Sequence, residues 1–217
     1  MLCLTGDGVQ AGDHPQAKPV FDLDCVSLLE IGRTLRDDHH FQSGRKISFA
    51  PRVFFGAAEN PSALPHEWRA RRLAKKVAAG AQFIQTQYCY DLPLLQAFMR
   101  EVEELGLLGK VYILAGVGPL RSAKTADWMR KNVPGMHVPD SVVERLRGAQ
   151  DQAREGRNLC IELIQSMREM PGISGVHVMA YRQEESVAEI VDRSGILKGR
   201  SPWYPERDAS QSQRTAS

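Results

Sequence analysis

Short β-branched and aromatic runs alternate with longer stretches of helical period along this chain. That alternation constrains the fold more than any other feature, because it builds βα units around a parallel sheet. Five runs read as strands: Leu2 to Leu4, Arg52 to Ala57, Gln82 to Gln87, Val111 to Ala115 and Gly175 to Tyr181. Each is short and apolar, the pattern of strands covered on both faces. Between the third and fourth, Leu94, Leu95, Phe98, Met99, Val102 and Leu105 recur at three- and four-residue spacing and so share one helix face. Gly106 and Gly109 stop that helix before Val111. Leu28, Leu29 and Leu35 predict an earlier helix between about Asp24 and Arg36. Ser141 and Glu144 form a capping-box pattern that opens a helix-compatible segment running to about Met167. Val187, Ile190 and Val191 give a last helix its buried stripe, with Gly195 as its end.

With 217 residues, 42% of them hydrophobic and 25% charged, the chain can bury one sizeable core. Residues 1–197 read as one barrel-like domain, and "KGRSPWYPERDASQSQRTAS", residues 198–217, as a disordered polar tail. No stretch reaches the roughly 18 to 20 apolar residues of a membrane span, and the first residues lack the pattern of a signal peptide. Cys3, Cys25, Cys89 and Cys160 are scattered, which fits a reducing cytoplasm and argues against a disulfide framework. No histidine pair has metal-ligand spacing, so no metal is expected, and His177, inside the last strand, reads as structural or solvated. A formal charge of +2 gives no argument for nucleic acid.

Parallel α/β folds place their chemistry at the carboxyl ends of their strands. Here those ends carry Thr5, Gly6 and Asp7; Glu59 and Asn60; Gln85, Thr86 and Gln87; and Tyr181, Arg182 and Gln183. Any strand can end in polar loop residues. Gln85 and Gln87, however, follow an apolar run at alternate spacing and therefore point to one face, where a bound ligand is one way to satisfy their amides.

The segments "LTGDGVQAGDHPQAKPVFDLD", "AKKVAAGAQFIQTQYCYD", "ILAGVGPLRSAKTADWM" and "GVHVMAYRQEE" resemble, in order and spacing, stretches of the methylenetetrahydrofolate reductase family. The resemblance implies an α/β fold, a (β/α)8 TIM barrel, with FAD at the carboxyl ends of its strands. It implies hydride transfer from NADH or NADPH to FAD and on to 5,10-methylenetetrahydrofolate, yielding 5-methyltetrahydrofolate in one-carbon metabolism and methionine biosynthesis. In the family the glycine-aspartate strand is the fourth of the barrel. The expectation is therefore a barrel truncated to strands 4–8, closed by a homo-oligomer or a completing partner chain.

The resemblance also assigns residues. Asp7 matches the aspartate beside the flavin ring that tunes its reactivity, and Gly6 the residue that lets the backbone approach that ring. Alternatives are an Asx-type turn for Asp7 and a tight turn for Gly6. Lys76 matches a lysine near the cofactor phosphates. Around it, Arg69, Arg71, Arg72 and Lys75 fit a solvated helix face as well as an anion site. In "AAENPSA" the flavin-contacting tyrosine and histidine of well-known members are absent, and Asn60, beside Glu59, is the residue placed to contact FAD. Gln87 matches the glutamine that contacts the pterin of the folate substrate. Tyr88 is placed to stack on a flat ring or to pack the barrel rim. Thr125 falls where the family lines its nucleotide or folate site, and Gln183 takes the position, with Arg182 one residue from it, at which some members place an arginine that contacts substrate.

The family's general acid is a glutamate on the first strand, and that strand is not in this sequence. Two alternatives to the reductase follow: a non-catalytic or partner-dependent folate-binding barrel fragment, and a barrel that transfers a methyl group from methyltetrahydrofolate to a corrinoid.

Overall fold

The computed structural model describes residues 1–200, so the expected tail falls largely outside the described residues. Five strands, β1 (Leu2–Cys3), β2 (Gly56–Glu59), β3 (Phe83–Tyr88), β4 (Tyr112–Val117) and β5 (Ile173–Val178), pair in parallel and in chain order across one sheet. Helices cross over between them. Cys25–Arg33 (α1) runs into a π-helical turn over Thr34–Asp38, Arg69–Ala78 (α2) joins β2 to β3, and Leu92–Glu104 (α3) joins β3 to β4. Ala123–Asn132 (α4), Asp140–Gly148 (α5) and Gln152–Arg168 (α6) lie between β4 and β5, and Val187–Ser194 (α7) follows. Parallel strands wound in sequence with helical returns are the arrangement of a TIM-barrel-type domain.

The helices pack on one face of the sheet. Cys3, Ala57, Ile84, Ile113, Ala115 and Val117 are buried against them, whereas Leu2, Leu4, Phe54 and Tyr112 on the other face are exposed. The expectation of strands covered on both faces is thus met on the helical face alone. The opposite face carries the polar and small positions of the alternation: Ala58, Gln85, Gln87, Gly116 and His177. At the amino ends of the strands the Phe54 and Phe83 rings stack at 5.4 Å, with Tyr112 6.0 Å from Phe54.

Local chemistry explains most of the boundaries. Asp91 caps α3 by accepting the Leu94 N–H at 2.9 Å, and the Leu95, Phe98 and Val102 side chains of that helix are almost wholly buried. Each such side chain is worth about 1.5–3 kcal/mol in transfer out of water. The helix predicted from Ser141 to Met167 is instead two. The chain turns extended at Ala149, and the Asp151 carboxylate then accepts the Arg154 N–H at 2.9 Å and starts α6. The capping box at Ser141 does not form, because α5 begins one residue earlier, after Pro139. β2 lies nearer its carboxyl end than predicted, and β5 stops at Val178 because Tyr181 and Arg182 enter a turn with Arg182 at φ 54°.

Candidate functional site

β3 sets the centre of the site. Ile84 and Thr86 face the helices and are buried, while Gln85 and Gln87 take the opposite parity and line a cleft of about 430 Å³. Leu2 and Leu4 of the first strand segment, Ala58, Glu59 and Asn60 at the end of β2, Lys76 of α2, Thr86 of β3, His177 of β5 and Met179 just beyond it complete its walls. The β3 ladder shifts register between Gln85 and Tyr88. The Thr86 hydroxyl repairs the gap by accepting the Gly116 N–H at 2.8 Å and donating to the Gln87 carbonyl at 2.8 Å. Gly116 is required there, since a Cβ would run into the Thr86 and Gln87 carbonyls. Gln87 accepts the Tyr88 N–H on its Oε1 at 3.0 Å, which leaves its amide NH₂ as a donor.

An ionic cluster closes one rim. The Glu59 side chain is 3% exposed, with Oε2 2.9 Å from Lys76 Nζ, Oε1 3.6 Å from Arg72 Nε, and Oε1 accepting the Asn60 N–H at 3.0 Å. Lys76 Nζ also donates to the Ala58 carbonyl at 2.6 Å. Asn60 is equally committed, its Nδ2 donating to the Gly135 carbonyl at 3.0 Å and its Oδ1 accepting the Ser62 N–H at 2.9 Å.

This arrangement tests the four positions assigned to FAD. Lys76 and Asn60 spend their polar atoms on protein. Gly6 and Asp7 lie in the exposed loop after β1, outside the cleft lining, and a Cβ at Gly6 would meet nothing within 4 Å. A diphosphate cradle needs free donors and a close backbone approach. Lys76, the position assigned to the phosphates, does not supply one, and Gly6 and Asp7, assigned to the flavin ring, do not line the cleft, so these residues do not fit FAD as they stand.

The substrate-side positions divide. Gln87 lies in the cleft. Tyr88 donates its hydroxyl to the Met179 carbonyl at 2.9 Å and stacks on Tyr90 at 5.5 Å, which is rim packing between β3 and the end of β5. Thr125 sits in the first turn of α4, its hydroxyl 3.0 Å from that of Ser122. Gln183 is buried with Nε2 donating to the Pro119 carbonyl at 3.0 Å, and Arg182 is exposed with its guanidinium 5.2 Å from the Tyr181 ring centroid. None of Tyr88, Thr125, Arg182 and Gln183 lines the cleft. Thr5 accepts the Cys25 N–H on its hydroxyl at 3.0 Å and helps start α1.

Two residues escaped the sequence reading. Arg69, placed there on a basic helix face, is only 2% exposed and bonds Glu101 at 3.0 Å and the His66 carbonyl at 2.9 Å. It is therefore a structural cation. His177, read there as structural or solvated, faces the cleft, and burial pushes its imidazole below the ordinary histidine range. The parity of Gly175, His177 and Met179 along β5 was the signal that could have found it.

The methylenetetrahydrofolate reductase family model matches residues 1–195. A probable methylenetetrahydrofolate reductase (NADPH) of Caenorhabditis elegans is 23% identical over 191 residues, covering 86% of this chain and 28% of its own length. Methylenetetrahydrofolate reductase 1 of Schizosaccharomyces pombe is 28% identical over 204 residues, covering 91% of this chain and 31% of its own. The chain therefore spans less than a third of the length of these relatives. Among solved structures, an uncharacterised protein from Clostridium thermocellum, described as binding two copies of 5-methyl-5,6,7,8-tetrahydrofolic acid, superposes with a TM-score of 0.51 at 17% identity, covering 77% of this chain and 66% of that one. That likeness speaks to the fold. The family match runs from the first strand through the one that carries His177 to the end of the last helix, and this chain belongs to the methylenetetrahydrofolate reductase family.

Proposed function

We propose that the cleft binds the pterin of a reduced folate and that the chain works in the reduction of 5,10-methylenetetrahydrofolate to 5-methyltetrahydrofolate. The carrying observation is the convergence of Gln85, Gln87 and His177 on one cleft, with the Gln87 NH₂ unpaired among the described residues. A pterin offers a flat apolar body and a polar edge, and a cleft with apolar walls and a few directed amides is suited to both. FAD, with NADH or NADPH behind it, is the hydride route that family membership suggests, and cytoplasmic folate metabolism is the setting that goes with it.

One observation favours folate binding without chemistry in this chain alone. Among the described residues, the carboxylate that lines the cleft is Glu59, and it is tied to Lys76 and Arg72 rather than free to protonate a substrate nitrogen. Calorimetric titration of the whole chain with 5-methyltetrahydrofolate tests the binding claim. Saturable binding that weakens roughly tenfold in Gln87→Leu is expected, as for loss of one directed hydrogen bond, and no heat of binding in the wild type would refute it. Oxidation of NADH or NADPH by the same protein with FAD and 5,10-methylenetetrahydrofolate added then separates the reductase from the binding fragment.

A further inference from the structure

His177 sits on the inner parity of β5, in register with Gly116 of β4. Because Gly116 has no side chain, no side chain at that position of β4 stands between the imidazole and β3. The two ring nitrogens are in different positions. Among the described residues Nδ1 is buried with no hydrogen-bond partner, whereas Nε2 has no protein partner there either but is not among the buried unpaired atoms. The open edge of the ring is thus the one that carries Nε2.

The proton follows from that asymmetry. A buried N–H with no acceptor loses its hydrogen bond to water outright, while placing the proton on Nε2 lets it be solvated or donated. A ring protonated at both nitrogens would bury a charged, unpaired N–H, and desolvation already disfavours that form at this position.

The geometry points to His177 as a ligand-contacting residue of the folate cleft, donating Nε2–H to a ring acceptor of the pterin opposite the Gln87 amide. This rests on the folate reading of the cleft. It adds a second donor from a different strand, so that Gln87 NH₂ on β3 and His177 Nε2–H on β5 grip acceptors on one flat molecule from two sides. A ligand edge rich in acceptors is selected, and one that presents donors at the same place is rejected, because two N–H groups would face each other.

The test uses the whole chain with nitrogen-15 in its histidines and 5-methyltetrahydrofolate as the probe. In the free protein one histidine should show Nδ1 as the unprotonated nitrogen and Nε2 as the protonated one, and its Nε2 signal should move on titration. In parallel, His177→Phe should weaken binding roughly tenfold, and His177→Gln, whose amide reaches the Nε2 position, should stay within about threefold of wild type. Wild-type binding with His177→Phe equally tight, or a His177 ring carrying its proton on Nδ1, overturns the assignment and leaves the folate reading standing. No binding of the probe by the wild type overturns the folate reading and the assignment together. If His177→Phe does not fold, the labelled spectrum decides: an Nε2 signal that does not move while the probe binds overturns it.

Discussion

Lys76 Nζ lies 2.9 Å from Glu59 Oε2 and 2.6 Å from the Ala58 carbonyl, so the cation that a cofactor diphosphate would use is already held by the strand it approaches. The pair is largely out of water, the side chains being 17% and 3% exposed. Removing one partner leaves the Glu59 carboxylate buried with Arg72 at 3.6 Å as its remaining cation. Lys76→Met should destabilise the fold by about 2–4 kcal/mol, read from urea unfolding, and Lys76→Met with Glu59→Gln should recover at least half of that. An exposed phosphate-binding lysine would show neither effect. A Lys76→Met protein as stable as wild type would mean that the ion pair does not form.

Tyr88 is predicted to act on the fold rather than on the ligand. Its hydroxyl donates to the Met179 carbonyl and its ring stacks on Tyr90. Tyr88→Phe keeps the ring and removes the bond, which should cost about 0.5–1.5 kcal/mol and leave the affinity for 5-methyltetrahydrofolate within about twofold. A larger loss of affinity than of stability would return Tyr88 to the substrate.

What the sequence made legible follows from period and punctuation. The alternation in "FIQTQ" was enough to put Gln85 and Gln87 on one face, and the three- and four-residue spacing of Leu95, Phe98 and Val102 was enough to bury α3. Gly195 ends α7 in the left-handed region, at φ 66°, as its position implied. Residues whose roles depend on tertiary partners were not legible. Arg69 looks like Arg71 and Lys75 along the chain, and only the Glu101 side chain and the carbonyls of Pro61 and His66 set it apart. Gln183 and Tyr88 are polar rim residues in sequence, yet the carbonyls of Pro119 and Met179 claim them. The break between α5 and α6 was hidden because Asp151 is an ordinary surface residue until Ala149 leaves the helix.

Gly116 couples the sheet to the cleft. It stands opposite Tyr88 on one side and His177 on the other, and its N–H is the one that Thr86 Oγ1 accepts. A methyl group there meets the backbone carbonyls of Thr86 and Gln87, which cannot rotate away as a side chain would. Gly116→Ala should cost about 2 kcal/mol or more and should weaken folate binding further, because the segment that must shift is the one that carries Gln87. Chemical denaturation and titration of the same variant check both. Gly148, whose Cβ would meet nothing within 4 Å, is the control: Gly148→Ala should be neutral or slightly stabilising.

Stability should fall on both sides of a neutral plateau, for different reasons. Burial pushes the Cys89 thiol up to about 11 and the Cys160 thiol up to about 12, and it also raises Tyr90 well above the ordinary phenol. A thiol raised in the folded state is still protonated there when the unfolded chain, at about 8.5, has begun to ionise. Its stabilising contribution is complete below that point and is lost as pH rises toward 11. His177 has the opposite sign. Burial lowers its imidazole in the folded state, so its contribution is present above the ordinary value of about 6.5 and is lost as pH falls below it. The charged groups that line its cleft, Glu59 and Lys76, are bound to each other. Asp24, lowered by its hydrogen bond from Ser27, and Asp37 and Glu162, lowered by those from Arg36 and Arg145, add their own losses only at more acidic pH. Thermal melts followed by circular dichroism from pH 5 to 11 should therefore show a plateau between about 6.5 and 8.5. Cys160→Ala should flatten the alkaline limb and His177→Phe the acid limb near pH 6. An acid limb unchanged in His177→Phe would mean that the imidazole is as well solvated in the folded chain as in the unfolded one.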